Sequence, residues 1–165
     1  MRNLLLIIVF VISFNSMARE RVPSRCQESA EQLSKIDLLF FNKTQMIQHG
    51  ECVGIALVKR GAMQELPQAC SEVVENENNI SGPLSLSKKE VLQIGMCLGI
   101  INYTYDRYHE EKYQSSNYDS YNSQRNNYTF QCEKGRTAVN ILINTAEVLN
   151  SREQIRDRLC NVVRY

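Results

Sequence analysis

The side chains best able to do chemistry in this 165-residue sequence are six cysteines, two histidines and a few neighbouring carboxylates. The cysteines are Cys26, Cys52, Cys70, Cys97, Cys132 and Cys160. Their number is even and no two form a Cys-x-x-Cys pair, so neither a zinc knuckle nor a thioredoxin-type redox site is suggested. Disulfides are the expected use, which places the chain in an oxidising, exported space. The histidines, His49 and His109, stand alone. His109-Glu110-Glu111 is no zinc-protease motif, because no second histidine follows at helical spacing. Glu28/Glu31 and Glu110/Glu111 could act as paired carboxylates in glycoside hydrolysis, but on charge-rich helices they read as solvated surface. There is no Gly-x-Ser-x-Gly elbow and no glycine-rich phosphate loop. The sequence therefore predicts no catalytic residue, no metal, no cofactor and no enzyme.

The cysteine intervals organise the rest. Cys26 to Cys52 encloses 25 residues, Cys70 to Cys97 encloses 26, and Cys132 to Cys160 encloses 27. Ile47-Gln48-His49-Gly50-Glu51-Cys52-Val53-Gly54-Ile55 aligns with Leu92-Gln93-Ile94-Gly95-Met96-Cys97-Leu98-Gly99-Ile100, identical at five of nine positions. The first two units read as a duplication. The third keeps only an apolar position and Cys160. Each unit is expected to be a helix pair closed by its own disulfide, giving Cys26–Cys52, Cys70–Cys97 and Cys132–Cys160. In an antiparallel pair, residues about equally far from the turn face each other.

These elements follow helical spacing. Cys26, Ala30, Leu33, Ile36 and Phe40 form one stripe, and Met46, Gly50, Val53 and Leu57 another. A short helix is expected around Pro67 to Glu75, then a polar loop from Asn76 to Leu86. Val91, Gly95, Leu98 and Asn102 share the next face. Val139, Leu142, Ile143, Ala146 and Leu149 form a stripe in the third unit, and the last helix should bury Ile155, Leu159 and Val162. Asn42 with Gln45 and Ser87 with Glu90 form capping boxes, and Ser151 with Gln154 opens the last helix. No sustained period-two alternation stands out. The predicted fold is all-α, a disulfide-stapled bundle of about five to six helices in a single domain over residues 19–165.

Glycine inside a helix costs up to about 1 kcal/mol against alanine, so Gly50, Gly54, Gly95 and Gly99 want a reason. Each pair lies four apart and faces one side. The two duplicated helices are expected to cross near them.

The chain opens with Arg2 and nine unbroken apolar residues, Leu4 to Ile12. That run is too short for a membrane span and suits a signal peptide with cleavage after Ala18. Taking 18 residues from 165 leaves 147, with 18 Lys+Arg against 18 Asp+Glu. No basic footprint for nucleic acid exists, and no membrane span remains after cleavage.

Seven of the eight tyrosines fall between Tyr103 and Tyr128, among Ser, Asn and Gln. Tyr103, Tyr105 and Tyr108 continue a helix. A loop is expected at about residues 113–131, either a solvated linker or a partner-binding loop of the composition found in antibody contact loops. On the second reading Tyr105, Tyr108, Tyr113, Tyr118 and Tyr121 make the contact.

Cys97-Leu98-Gly99-Ile100-Ile101, an aromatic-acidic helix end, Phe130-Gln131-Cys132 and a helix pair closing on Cys160 resemble the Rap/Tai immunity proteins of bacterial type VI secretion. The resemblance covers roughly Glu90 to Cys160. It implies a helical periplasmic protein that binds and blocks a toxic effector, often a cell-wall amidase. The leading expectation is thus an exported binding protein that inhibits a toxic or lytic enzyme by occlusion. The alternative is a secreted, disulfide-bonded effector or signalling protein acting on host or neighbouring cells. A protein partner is expected, and a homodimer is an assembly it allows.

Overall fold

A computed structural model describes residues 22–26, 40–61, 65–78, 86–115, 126–145 and 148–165. The expected leader and its cut after Ala18 lie outside these residues, as do Ala30, Leu33, Ile36, Ala146, Tyr118 and Tyr121. The described elements run α1 (Lys43–Arg60), α2 (Leu66–Asn78), α3 (Lys88–Tyr108), β1 (Lys112–Ser115), β2 (Asn126–Cys132), α4 (Gly135–Ile143), α5 (Arg152–Leu159) and β3 (Cys160–Arg164). The protein is mostly helical. It also carries a three-stranded antiparallel sheet in the order β1-β2-β3, so the all-α expectation is corrected.

Local chemistry sets the helix ends. Asn42 and Gln45 satisfy each other's backbone N–H groups at the start of α1, at 2.9 Å in both directions. Ser87 and Glu90 do the same for α3, and Ser151 and Gln154 for α5. These are capping boxes, which fill donors that the first helical turn leaves free. The Ser87 hydrogen bonds hold the half-buried Glu90 carboxyl below its ordinary pKa. Gly61 closes α1 in the left-handed region, φ 71°, and its N–H reaches the carbonyls of Leu57 and Val58.

Helix α3 is central and touches α1, α2, α4, α5 and β2. Its partnership with α1 rests on the four glycines. A methyl group at Gly50 would strike the Leu92 carbonyl oxygen and lie 3.0 Å from the Gly95 Cα. One at Gly95 would strike the Ile47 oxygen, one at Gly54 the Met96 oxygen, and one at Gly99 the Glu51 oxygen. Each glycine thus faces the carbonyl three residues before its counterpart. Gly50 opposes Gly95 and Gly54 opposes Gly99, so α1 and α3 run parallel and in register. Asn42 and Ser87, Gln45 and Glu90, Gly50 and Gly95, Cys52 and Cys97 all stand at one constant offset of forty-five. The duplication read from nine residues therefore extends to the helix caps, and the two copies pack on each other about a pseudo-two-fold axis. Such close approach lets Cα–H groups contact carbonyl oxygens directly.

The disulfides are Cys26–Cys52, Cys70–Cys97 and Cys132–Cys160. The second ties α2 to α3. The third is different in kind from a helix-pair staple. Cys132 and Cys160 are cross-strand partners at the end of β2 and the start of β3. The bonds Tyr165 N–H to Asn127 O and Glu133 N–H to Leu159 O fix the hydrogen-bonding rhythm and put Cys132–Cys160 at a non-hydrogen-bonded pair. There opposed residues come closest, and these two Cα atoms lie 3.8 Å apart.

Several expected burials change for this reason. The last helix stops at Leu159 and the chain goes on as β3, so Val162 is 52% exposed while Ile155 and Leu159 are buried. Helix α4 ends at Ile143, and Leu149 reaches the core from beyond it. Phe40 is 82% exposed and Asn102 also faces solvent. The expected loop at 113–131 holds two strands, because Tyr113 and Tyr128 find each other across a hairpin.

Candidate partner-binding surface

The sheet joins α3 through a tight corner. Glu111 N–H bonds the Tyr108 carbonyl at 2.9 Å, with His109 at φ −60°, ψ 127° and Glu110 at φ 62°. This is a type II turn, whose third position favours glycine. Glu110 N–H then bonds the Phe130 carbonyl at 2.9 Å, and Phe130 N–H bonds the Glu111 carbonyl at 3.2 Å. Two residues oppose one, which makes a G1 bulge with Glu110 where glycine is usual. The bulge re-aims the chain so that β1 lies along β2.

Alternation along the strands places Tyr113, Tyr128, Phe130, Val162 and Arg164 on one sheet face. Tyr113 is paired directly with Tyr128, Phe130 with Val162, and Tyr128 with Arg164. The rings form a continuous ladder. Tyr128 and Tyr113 stack at 5.6 Å, Tyr113 and Phe130 stack at 5.0 Å, and Phe130 meets Tyr108 edge-on at 6.2 Å. Offset and edge-on arrangements at such distances are the favoured ones for aromatic pairs.

Arginines close the inner end of this ladder. Arg156 lies 5.0 Å from the Phe130 ring and 5.6 Å from Tyr108, and Arg107 lies 5.1 Å from Tyr108. Arg107 is also paired with Glu111 at 2.9 Å, and Arg156 with Asp157 at 2.7 Å. Arg152 hydrogen-bonds the hydroxyl of buried Tyr103, which holds its guanidinium even more firmly protonated. Burial raises the Tyr108 pKa above its ordinary value, and the nearby charges of Arg152, Arg107 and Arg156 work the other way.

A smaller cluster sits beside it. Tyr105 stacks on His109 at 4.2 Å, and Lys134 lies 4.6 Å from the Tyr105 ring. His109 Nδ1 accepts the Cys132 N–H at 3.1 Å, which joins this cluster to the disulfide-anchored end of β2. On the opposite sheet face Lys112 lies 5.3 Å from the Tyr165 ring.

Of the tyrosines expected at a contact, Tyr113 is half-buried with one side of its ring stacked on Tyr128 and Phe130, and Tyr105 is half-buried. Tyr108 is only 5% exposed. It belongs to the core beneath the arginines and is corrected from a contact residue to a supporting one. Tyr118 and Tyr121 lie outside the described residues. Sequence reasoning missed Tyr128, Phe130, Arg107, Arg152 and Arg156. The signal that could have found the first two is the alternation Tyr128-Thr129-Phe130-Gln131-Cys132, apolar or aromatic at every second place.

The set offers rigid ring area edged by guanidinium groups, with His109 Nδ1 already engaged by the Cys132 N–H. Among the described residues no helix is long and apolar enough to cross a membrane. Comparison with protein-family models, with curated proteins and with solved structures finds no match.

Proposed function

We propose that the chain is an exported binding protein that blocks a toxic or lytic enzyme by occlusion, acting as an immunity protein in the periplasm, and that the aromatic face of the sheet is its contact. The observation that carries this reading is the half-buried stacked pair Tyr113–Tyr128, seated on the buried Phe130 ring, which Arg156 braces, with Arg107 over the neighbouring Tyr108. Tyrosine and arginine dominate interface hot spots, because a rigid ring or planar guanidinium contributes contact at low entropy cost. The Cys132–Cys160 bond and the bulge at Glu110 hold the face rigid before a partner arrives, which lowers the cost of binding. The three disulfides support an oxidising, exported setting. The motif resemblance between Glu90 and Cys160 supports the class of partner.

A photo-crosslinking residue in place of Tyr128 tests the proposal. In an extract of the exported fraction of the source cell it should capture one enzyme, and added purified protein should inhibit that enzyme stoichiometrically. Capture from Ser71 on α2 but not from position 128 would overturn the placement. A captured partner whose activity is unchanged by saturating protein would overturn the inhibitory role.

A further inference from the structure

The outer edge of β3 carries backbone groups that no described strand pairs with. In β3 the residues bonded to β2 are Asn161, Val163 and Tyr165, as the Tyr165-to-Asn127 and Glu133-to-Leu159 bonds require. The backbone groups of Cys160, Val162 and Arg164 therefore point the other way, and no described strand pairs with them. The Cys160 N–H is engaged by the Arg156 carbonyl at the end of α5. The Cys160 carbonyl, the Val162 N–H and carbonyl and the Arg164 N–H remain on the edge.

Edges of sheets are normally guarded by bulges, charges or proline. Here the two edges differ. The β1 side has the G1 bulge at Glu110–Glu111 and exposed Lys112. The β3 side has no bulge and presents Val162, 52% exposed, followed by exposed Arg164 and by Tyr165, 60% exposed. One bulged and one regular edge favour a closed pair of chains over an open-ended filament.

We infer that two copies associate through antiparallel β3–β3 pairing centred on Val162, forming a six-stranded sheet. The register is self-complementary. Val162 exchanges both backbone bonds with Val162 of the other copy, and each Arg164 N–H donates to the opposite Cys160 carbonyl. Arg164 faces Cys160 and never its own copy, so no like charges meet. A shift by one residue would turn Val162 and Arg164 away from each other's face. The two-fold axis stands perpendicular to the sheet, so both aromatic ladders end on the same side of the dimer. The contact is small and belongs with weak, concentration-dependent interfaces.

The test is sedimentation velocity on the disulfide-intact protein over about 10 micromolar to about 1 millimolar, the range in which small interfaces form. Wild type should pass from monomer to dimer. Val162→Lys and Val162→Glu should each stay monomeric, since like charges directly opposed across strands repel, while a mixture of the two should associate at least as strongly as wild type. In parallel, hydrogen exchange of the Val162 and Arg164 amides should slow several-fold with concentration, while Asn161 and Val163 exchange stays constant. A wild type that is monomeric throughout overturns the inference. So does association that the single variants leave intact, that their mixture does not restore, or that leaves the Val162 amide unchanged. Circular dichroism of both variants should match wild type.

Discussion

Replacing Gly95 by alanine tests the pseudo-two-fold crossing most directly. Alanine has the better helix propensity, and that alone would stabilise α3 by up to about 1 kcal/mol. The new Cβ, however, would strike the Ile47 carbonyl oxygen and lie 2.9 Å from the Gly50 Cα, where carbon–carbon contact wants about 3.5–4.0 Å. Both obstacles are backbone, so no rotamer change relieves them, and α1 and α3 must separate by about 1 Å. A gap of that size forfeits about a quarter to a half of the attraction at each atom pair it opens. It would act along the whole length from Gly50 to Gly99. Overpacking a tight site costs about 1–3 kcal/mol and sometimes more, and this site lies at the upper end. After the propensity gain, the net loss should be about 2 kcal/mol, a fall in Tm of about 4–8 °C for a chain of this size. Because Gly50 and Gly95 oppose each other, the double change to alanine should lose clearly less than the sum of the singles. Thermal unfolding followed by circular dichroism, with disulfides intact, reads both results. A Gly95→Ala protein with an unchanged or raised Tm would refute the close crossing.

Three further outcomes are expected. Ser87→Ala removes the reciprocal cap of α3 and should lower stability by about 1 kcal/mol, with faster amide exchange confined to residues 88–91. Glu110→Gly should raise stability by up to about 1 kcal/mol, because glycine accepts the left-handed backbone that Glu110 now holds at a cost; Glu110→Ala in the same urea titration should show no such gain. His49 has its pKa lowered by burial and meets Phe41 edge-on at 6.0 Å. An unfolded chain therefore binds more protons than the folded one, and His49's contribution is complete above the ordinary imidazole pKa and lost as pH falls towards its folded value. His49→Phe should flatten the decline in Tm between about pH 7 and pH 5, and a slope identical to wild type would count against burial of this ring.

What the sequence made legible was local or pairwise. Capping boxes are reciprocal within four residues, so Asn42, Ser87 and Ser151 could be recognised without tertiary knowledge. The glycines could be recognised because four helix-breaking choices at repeated spacing need a common cause. The sheet was not legible because it depends on partners far apart in the chain. Residues 112–115 and 126–132 are rich in Lys, Gln, Asn and Ser, and their apolar side chains gain meaning only when Tyr113 meets Tyr128 and Phe130 meets Tyr108. The end of α5 was misjudged because Ile155, Leu159 and Val162 also fit a helical stripe. The β-branched pair Val162-Val163 was the contrary local sign. Of the candidate surface, Tyr105 and Tyr113 were named from composition alone. Its arginines were not, because Arg107, Arg152 and Arg156 acquire their role from rings brought to them by the fold.

The order in which the cysteines pair has a consequence for biosynthesis. Each disulfide joins neighbours in the sequence of cysteines, first with second, third with fourth, fifth with sixth, so the three loops never interleave. A chain emerging amino end first completes one pair before the first member of the next pair appears. If each pair closes as it emerges, the second cysteine of every pair meets a single reduced partner. Oxidation in order of emergence then yields the native pairing directly. Such a route needs no reshuffling of wrong disulfides, which takes seconds to hours depending on oxidant and isomerase. Of all the connectivities open to six cysteines, this is the one that a simple oxidant and the direction of synthesis produce by themselves.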